Sequence, residues 1–223
     1  MTTKRMALVT EAGNGLGKTF ASILQGQGFE VLLAASEKSF RTLENTDLHE
    51  IQLVQIDVTK PQHIDKLRSY IVKRFGKLDV LVNNAEMANG FGQKITELQM
   101  EEVKELFNLN FFAAVSMIQK LYPVLLKSDN ASIVNISSAL GSITKMQDET
   151  FSYANYRLTA YSSAKAALEM LTLVLAREFA TDPIVISSFD PIRLKNCTHN
   201  STTICKKVEN EFLDLVKREI ATI

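Results

Sequence analysis

The chain has 223 residues, of which 46% are hydrophobic, which suits one α/β domain or two small ones with a sizeable core. Lys plus Arg equals Asp plus Glu, at 25 each, and this neutral balance gives no electrostatic case for binding nucleic acid or an anionic membrane. No apolar run approaches the roughly 20 residues of a membrane-spanning helix, and the apolar stretch near the N-terminus is too short for a signal peptide, so we expect a cytoplasmic protein.

Apolar runs that predict strands alternate with segments of helical periodicity. Several of the runs are nearly all apolar, which is typical of strands covered on both faces. In chain order, the predicted strands are 6–10, 30–34, 51–56, 78–82, 132–136 and 184–188. Predicted helices begin near Gly15 and at Pro61, and further ones span 101–126, 161–180 and 207–221. A capping-box pattern at 96–99 is expected to start the third helical segment.

This alternation predicts an α/β fold with a Rossmann-like, doubly wound parallel sheet. The simplest organisation is a single domain over 1–223 that ends in a short C-terminal helix. The two cysteines, Cys197 and Cys205, form neither a CxxC pair nor a metal pattern with nearby histidines, so we expect reduced thiols and no metal site.

The stretch TEAGNGLG, residues 10–17, follows the first predicted strand and precedes a helix. Glycines permit a tight turn, and the backbone N–H groups of such a turn can approach a pyrophosphate at the helix N-terminus. The spacing is G-x-G-x-G rather than the general G-x-G-x-x-G fingerprint, and a plain strand-to-helix connection has the same pattern. Glu11 also brings negative charge into this turn.

Polar residues follow the next strands at the carboxyl edge of the sheet, where ligands of doubly wound folds bind. Asp57 follows the third strand, 83–85 (Asn-Asn-Ala) follows the fourth, and Ser137 and Ser138 follow the fifth. Each has a structural alternative as a turn or cap residue. A serine at this edge can also donate a hydrogen bond to a carbonyl oxygen on which charge builds.

Tyr161 and Lys165 lie four residues apart in a predicted helix and therefore share a face. An ammonium near a phenol stabilises the phenolate and lowers the tyrosine pKa, which makes tyrosine a usable acid and base. The alternative is a solvated helix face, since this spacing is common.

In the order of these motifs, the chain resembles the short-chain dehydrogenase/reductase family from about Lys4 to Pro191. The loop resembles TGxxxGxG, DV at 57–58 resembles the adenine-side motif, and NNAE at 83–86 resembles NNAG. NLNFFAAVSMIQKLYPVL, at 108–125, resembles the helix that carries the family's active-site asparagine, here Asn110. IVNISS carries the serine, Ser138, and YSSAK carries the tyrosine and lysine.

The resemblance implies an NAD(P)-dependent oxidoreductase acting on a small carbonyl or alcohol substrate. Tyr161 would exchange a proton with the substrate oxygen, Lys165 would lower the Tyr161 pKa and hold the nicotinamide ribose, and Ser138 would polarise the carbonyl. Asn110 would hold a water in a proton relay. The implied cofactor-binding residues are Thr10, Gly13, Asn14, Gly15, Leu16, Gly17, Ser36, Asp57, Val58, Asn83, Asn84, Ala85, Lys165 and Pro191.

Three family glycines are replaced, by Glu11, Glu86 and Ile192. These changes favour the alternative function, a related fold with weak or no cofactor binding that acts through protein contacts. If the Glu11 carboxylate faces the phosphates it weakens binding, and if it turns to the adenosine ribose it accepts hydroxyl hydrogen bonds and favours NAD. We expect a dinucleotide to bind with Glu11 as a handicap.

The second predicted strand ends without the acid typical of NAD-specific proteins, since Ala35 occupies that place. Ser36 and Lys38 could contact a 2′-phosphate, so the sequence favours NADP slightly over NAD. The segment 144–157 lengthens the spacing between Ser138 and Tyr161 and forms either a substrate wall or a surface loop. The resemblance also implies a homodimer through 101–126 and 161–180, with Phe107, Phe111, Phe112 and Val115 buried at the interface.

Overall fold

The computed structural model describes residues 4–11, 15–44, 51–191 and 206–221. Within these ranges six parallel strands form one sheet in the order β3-β2-β1-β4-β5-β6. Each predicted strand is present to within two residues at either end, and the predicted α/β, doubly wound fold is confirmed. The strands are β1 (Met6–Thr10), β2 (Glu30–Ala35), β3 (Gln52–Gln55), β4 (Val80–Asn83), β5 (Ala131–Ile136) and β6 (Ile184–Phe189).

Helices connect the strands and cover both faces of the sheet. None of the helices within the described ranges is long and apolar enough to cross a membrane. The helices are α1 (Leu16–Gly26), α2 (Glu37–Leu43), α3 (Pro61–Arg74), α4 (Met100–Phe107), α5 (Ala113–Leu125), α6 (Ile143–Met146), α7 (Thr159–Glu178) and α8 (Lys206–Ala221).

The predicted capping box is wrong, and the long helical segment after it is two helices. Thr96 lies inside a 3-10 turn, Ile95–Glu97, and the extended backbone of Leu98 separates this turn from α4. A π turn, Asn108–Phe112, joins α4 to α5. This π turn contains the buried Asn110, one of the predicted catalytic residues.

Alternate side chains of the strands enter two apolar layers, one on each face of the sheet. In β1, Met6 and Leu8 pack with the layer under α3 and α5, while Ala7 and Val9 pack with the layer under α1 and α8. Because both faces are buried, these strands read as continuous apolar runs in the sequence.

The strand order reverses at β1, which lies between β2 on one side and β4 on the other. The loops after β1 and β4 therefore leave the same edge of the sheet in opposite directions and open a crevice between them. The loops after β2, β3 and β5 end at this edge as well. The crevice is where the sequence places the glycine loop, the Asn-Asn-Ala segment and the catalytic residues.

Candidate active site

Tyr161 and Lys165 lie in the first turns of α7 and are both buried, at 6% and 1% exposure. The four-residue spacing places both on the face of α7 that packs toward β5, with Lys165 Nζ 5.6 Å from the centre of the Tyr161 ring. The alternative of a solvated helix face is therefore wrong, because solvated side chains would be exposed.

Lys165 connects α7 to the end of β5. Its Nζ donates a hydrogen bond to the Ile136 carbonyl oxygen at 2.7 Å. The turn that follows β5 packs closely on the α7 backbone, since a Cβ on Gly141 would lie 2.8 Å from the carbonyl carbon of Lys165. This packing holds Ser138, which precedes the turn, next to Tyr161 and within hydrogen-bonding reach of its hydroxyl.

Glu86, at the end of the segment 83–86, joins the catalytic pair. Its Oε2 atom accepts a hydrogen bond from the Tyr161 hydroxyl at 3.2 Å and forms an ion pair with Lys165 Nζ at 2.7 Å. The Glu86 side chain is 36% exposed, so one carboxylate touches both buried groups and solvent. The sequence showed that an acid replaces glycine here, but it gave no sign of these two contacts.

The charge balance around Tyr161 is opposite to the expected one. Burial raises the pKa of the Tyr161 hydroxyl, and the nearby charge of Glu86 raises it further, whereas the hydrogen bond with Ser138 lowers it. Lys165 does not dominate, because its ammonium is paired with the Glu86 carboxylate. The pKa of Tyr161 is therefore raised in sum, and the lowering effect expected of Lys165 stays a prediction.

Asn110 holds the backbone immediately after Glu86. Its Oδ1 accepts from the Met87 N–H at 2.9 Å, and its Nδ2 donates to the Met87 carbonyl at 2.8 Å. Both ends of the side-chain amide are thus used by one residue. The predicted role of Asn110 in holding a water stays a prediction, and the contact found is a brace for the loop that carries Glu86.

The loops after β1 and β4 are held together by side chains that the resemblance assigned to the cofactor. Thr10 Oγ1 accepts from the N–H groups of Asn84 and Ala85 at 2.9 and 3.1 Å, and Asn84 Nδ2 donates to the Glu11 carbonyl at 2.8 Å. Asn83 Nδ2 donates to Asn135 Oδ1, below the crevice, at 2.8 Å. These contacts tie the end of β1 to the segment that follows β4.

Glu11 adopts the left-handed conformation, with φ of 48°, at a place where the resemblance predicts glycine. Its carboxylate accepts hydrogen bonds from Ser36 N and Ser36 Oγ, both at 3.1 Å, and from Ser39 Oγ. The carboxylate thus lies at the end of β2, and its predicted contact with the adenosine ribose stays a prediction. Ser39 was missed, although the i, i+3 spacing of the serines places both at the start of α2.

A groove with a volume of about 660 Å³ runs along this edge from Glu11 to Glu86. Asp57 lines it, and its Oδ1 accepts from Thr59 N at 3.0 Å and from Thr59 Oγ1 at 2.6 Å. Further lining residues are Ser36, Lys38, Ser39, Thr42, Ile56, Val58, Thr59, Met87, Glu105, Asn108 and Leu109.

The remaining predicted cofactor residues are only partly described. Gly15 has a φ of 66°, and a Cβ on it would lie more than 4 Å from the other described residues apart from its chain neighbours, whereas Gly17 is buried in α1. Leu16 is half-buried and packs beside the layer under α1, and Pro191 is half-buried after β6. The predictions for Gly13, Asn14 and Ile192, and those for Cys197 and Cys205, lie outside the described residues.

The segment 144–157 contributes apolar side chains to the surroundings of Tyr161. Phe151 and Tyr153 pack against a cluster that contains Tyr161, Leu140 and Leu158. The Tyr156 carbonyl accepts from the Gly92 N–H at 2.9 Å, which connects this segment to the loop after β4. These contacts place part of the segment beside Tyr161, and its role as a substrate wall stays a prediction.

The profile of the family described as short chain dehydrogenase matches residues 5–206. The chain belongs to the short-chain dehydrogenase family. An uncharacterized oxidoreductase of Staphylococcus aureus strain MW2 is 29% identical over 192 residues, which cover 85% of this chain and 78% of that protein. Family membership and such relatives support an oxidoreductase.

Solved structures of short-chain dehydrogenases have the same architecture. One from Streptomyces avermitilis superposes with a TM-score of 0.70 at 29% identity, over 85% of this chain and 65% of that one, so this chain spans less than two thirds of it. A metagenomic short-chain oxidoreductase in complex with NADP has a TM-score of 0.76 over 98% of this chain and 91% of that one. At 23% identity the second likeness concerns the fold alone.

Two departures from the short-chain dehydrogenase pattern lie at opposite ends of the groove. Glu11 places a carboxylate beside the end of β2, and Glu86 places one between Tyr161 and Lys165. Both side chains replace a family glycine, and both are held by specific partners rather than pointing freely into the groove. Each substitution therefore adds a carboxylate with defined hydrogen-bond or ion-pair partners to the site.

Proposed function

We propose that the protein is an NAD(P)-dependent oxidoreductase that transfers hydride between a nicotinamide cofactor and a carbonyl or alcohol substrate. The observation that carries this proposal is the convergence of Ser138, Tyr161 and Lys165 at the carboxyl edge, where a large groove begins. A proton donor, a polarising hydroxyl and a buried cation in one place are what carbonyl reduction needs.

The residues divide the work of the reaction between them. The nicotinamide supplies or accepts the hydride when it is bound. Ser138 orients the substrate oxygen, and Tyr161 transfers a proton to or from it. Lys165 has three N–H donors, and two partners are recorded for it among the described residues, Ile136 and Glu86, so one donor is available for a ribose hydroxyl.

The shape of the groove supports a dinucleotide. Its lining by Asp57 and Val58 suits an adenine, and the N-terminus of α1, which Gly15 precedes, suits a phosphate. The substrate would enter from the side of Phe151 and Tyr153, whose rings limit the width of an aldehyde or ketone beside Tyr161. These contacts define the substrate by its reacting group, a carbonyl or an alcohol.

Glu11 supports NAD as the preferred form of the cofactor. The sequence-based preference for NADP depended on Ser36 and Lys38, but the Ser36 hydroxyl and N–H both bond to Glu11. A fixed carboxylate at the end of β2 accepts hydrogen bonds from a ribose diol and repels a 2′-phosphate. Glu11 would thus replace, from another loop, the acid that is missing at Ala35.

Direct titration with NADH and NADPH, followed by nicotinamide fluorescence, tests the proposal. The chain has no tryptophan, so the signal comes from the cofactor itself. We expect saturable binding, and oxidation of the bound NADH when small aldehydes and ketones are added. Absence of binding by both cofactors would instead support the alternative function through protein contacts, which the Glu86–Lys165 ion pair in the nicotinamide region also favours.

A homodimer is the assembly we propose, because α5 and α7 expose an apolar surface. Phe112, in the π turn directly before α5, is 52% exposed, and Leu173 in α7 is 61% exposed. A cleft of about 320 Å³ lined by Val115, Leu171 and Leu175 lies between α5 and α7. Large exposed apolar patches of this kind are typical of protein interfaces. Light scattering at micromolar concentration should give twice the mass of the chain, and a monomer would contradict the proposal.

A further inference from the structure

The contacts of Glu86 are unusual because one oxygen atom serves two buried groups. Glu86 Oε2 lies 3.2 Å from the Tyr161 hydroxyl and 2.7 Å from Lys165 Nζ. Tyr161 and Lys165 are almost fully buried, so these contacts are not screened as exposed surface ion pairs are. Among the described residues, Lys165 forms its ion pair with Glu86.

The backbone beside Glu86 is held in place as well. Asn110 grips both the N–H and the carbonyl of Met87, and Asn110 itself is buried in the π turn between α4 and α5. Glu86 is therefore held at two points. Asn110 fixes the backbone of the next residue, and Tyr161 and Lys165 hold the carboxylate. This arrangement points to a defined role at the reacting hydroxyl, rather than to a surface glutamate that happens to be near.

The charges around the Tyr161 hydroxyl decide which form of the phenol the site favours. A neutral phenol donates a hydrogen bond to Glu86, whereas a phenolate would stand about 3 Å from a carboxylate and be repelled. Lys165 attracts a phenolate, but Glu86 neutralises its charge. Among the described residues, Asp190 also opposes the phenolate, and it is paired with Lys145 at 3.3 Å.

We propose that Glu86 is a positioning residue that keeps the Tyr161 hydroxyl in its proton-donating form into the alkaline range, and so adapts the site to carbonyl reduction rather than to alcohol oxidation, which needs the phenolate. This inference depends on the proposed function for its reaction, but not for the state of the tyrosine. In the reduction, a bound reduced nicotinamide would supply hydride to the carbonyl carbon, and the C=O π electrons would move to the oxygen. The Tyr161 O–H bond breaks, its proton passes to that oxygen, and the phenolate regains a proton from solvent, which reaches the site at Glu86.

Titration of tyrosine in the protein without cofactor tests the first half of the inference. The chain has five tyrosines, and comparison with Tyr161→Phe assigns the absorbance change that belongs to Tyr161. We expect Tyr161 to ionise well above the usual value of about 10 in the wild type, and at least one pH unit lower in Glu86→Gln, a tenfold change in its ionisation constant. Glu101→Gln, in an exposed ion pair with Lys104, serves as the matched control and should titrate like the wild type.

The pH dependence of turnover tests the second half. Alcohol oxidation needs the phenolate, so its kcat/KM should rise to the highest pH measured in the wild type and level off at lower pH in Glu86→Gln. Reduction should lose activity at alkaline pH earlier in this variant. A merely structural role would change rates without moving these profiles.

The outcomes separate the two proposals. If Tyr161 titrates at the same pH in the wild type and Glu86→Gln, the role of Glu86 is refuted, whatever the activity. If the tyrosine titration shifts but neither cofactor supports turnover, the proposed function fails and the control of Tyr161 by Glu86 stands. Circular dichroism of Glu86→Gln confirms that the variant is folded, and Glu86→Asp, which keeps the charge, should keep Tyr161 protonated above its usual range.

Discussion

Replacing Glu11 with glutamine removes one negative charge from the groove but keeps an oxygen that accepts hydrogen bonds from Ser36 and Ser39. A ribose hydroxyl bonded to this carboxylate would carry a 2′-phosphate at about 5 Å, where each unit-charge pair costs roughly 3 kcal/mol at an effective dielectric of about 20. That is about a hundredfold in affinity before screening by salt. We expect Glu11→Gln to tighten NADPH about tenfold to a hundredfold. NADH should weaken about threefold, because a neutral acceptor replaces a charged one.

Fluorescence titration of the wild type and of Glu11→Gln with NADH and with NADPH, at two salt concentrations, measures this change. The matched control is Glu30→Gln at the other end of β2, where Glu30 accepts a hydrogen bond from Gln52 at 2.8 Å. Five strand steps place Glu30 about 17 Å from the groove, beyond the Debye length of about 8 to 10 Å, so its replacement should leave both affinities unchanged.

The reasoning about Glu11 fails in two cases. One is a wild type that binds NADPH more tightly than NADH, which would mean that the carboxylate does not read the ribose. The other is Glu11→Gln binding both cofactors as the wild type does, which would mean that Glu11 only caps α2. A gain for NADPH that disappears at high salt would support the electrostatic origin.

Three further changes have expected outcomes. Tyr161→Phe keeps the ring packing and removes the proton donor, so turnover should fall about 10²-fold or more with an unchanged melting curve; near-full turnover would exclude Tyr161 as the acid. Gly141→Ala places a Cβ 2.8 Å from the Lys165 backbone and should lower the free energy of unfolding by about 1–3 kcal/mol in urea titrations, whereas an unchanged midpoint would contradict this close packing. Burial raises the pKa of Glu219, so its ionisation destabilises the fold as pH rises through that pKa. Glu219→Gln should therefore have a higher melting temperature than the wild type at neutral pH and the same melting temperature at acid pH. A lower melting temperature of the variant at neutral pH would refute this.

The sequence alone determined the sheet and the position of its functional edge. The runs that became β1 to β6 are apolar because both faces of a parallel sheet are covered, and that pattern is readable without a structure. The i, i+4 spacing of Tyr161 and Lys165 likewise placed them on one face of α7, since helical geometry is local. The capping box at 96–99 failed because the extended Leu98 interrupts the helix there, and the pattern of polar residues carries no information about that turn.

Only the tertiary structure decided what the two acids in place of glycine do. Glu86 meets Tyr161 across 75 positions of the chain, and Glu11 meets Ser36 across 25. The partners of a carboxylate depend on which loops the strand order brings to the same edge of the sheet. They also depend on the backbone conformation of the residue, which directs its side chain, such as the left-handed φ of Glu11. The protonation state of Tyr161 follows from those distances and from burial, and for that reason the sequence predicted a lowered pKa where the folded chain has a raised one.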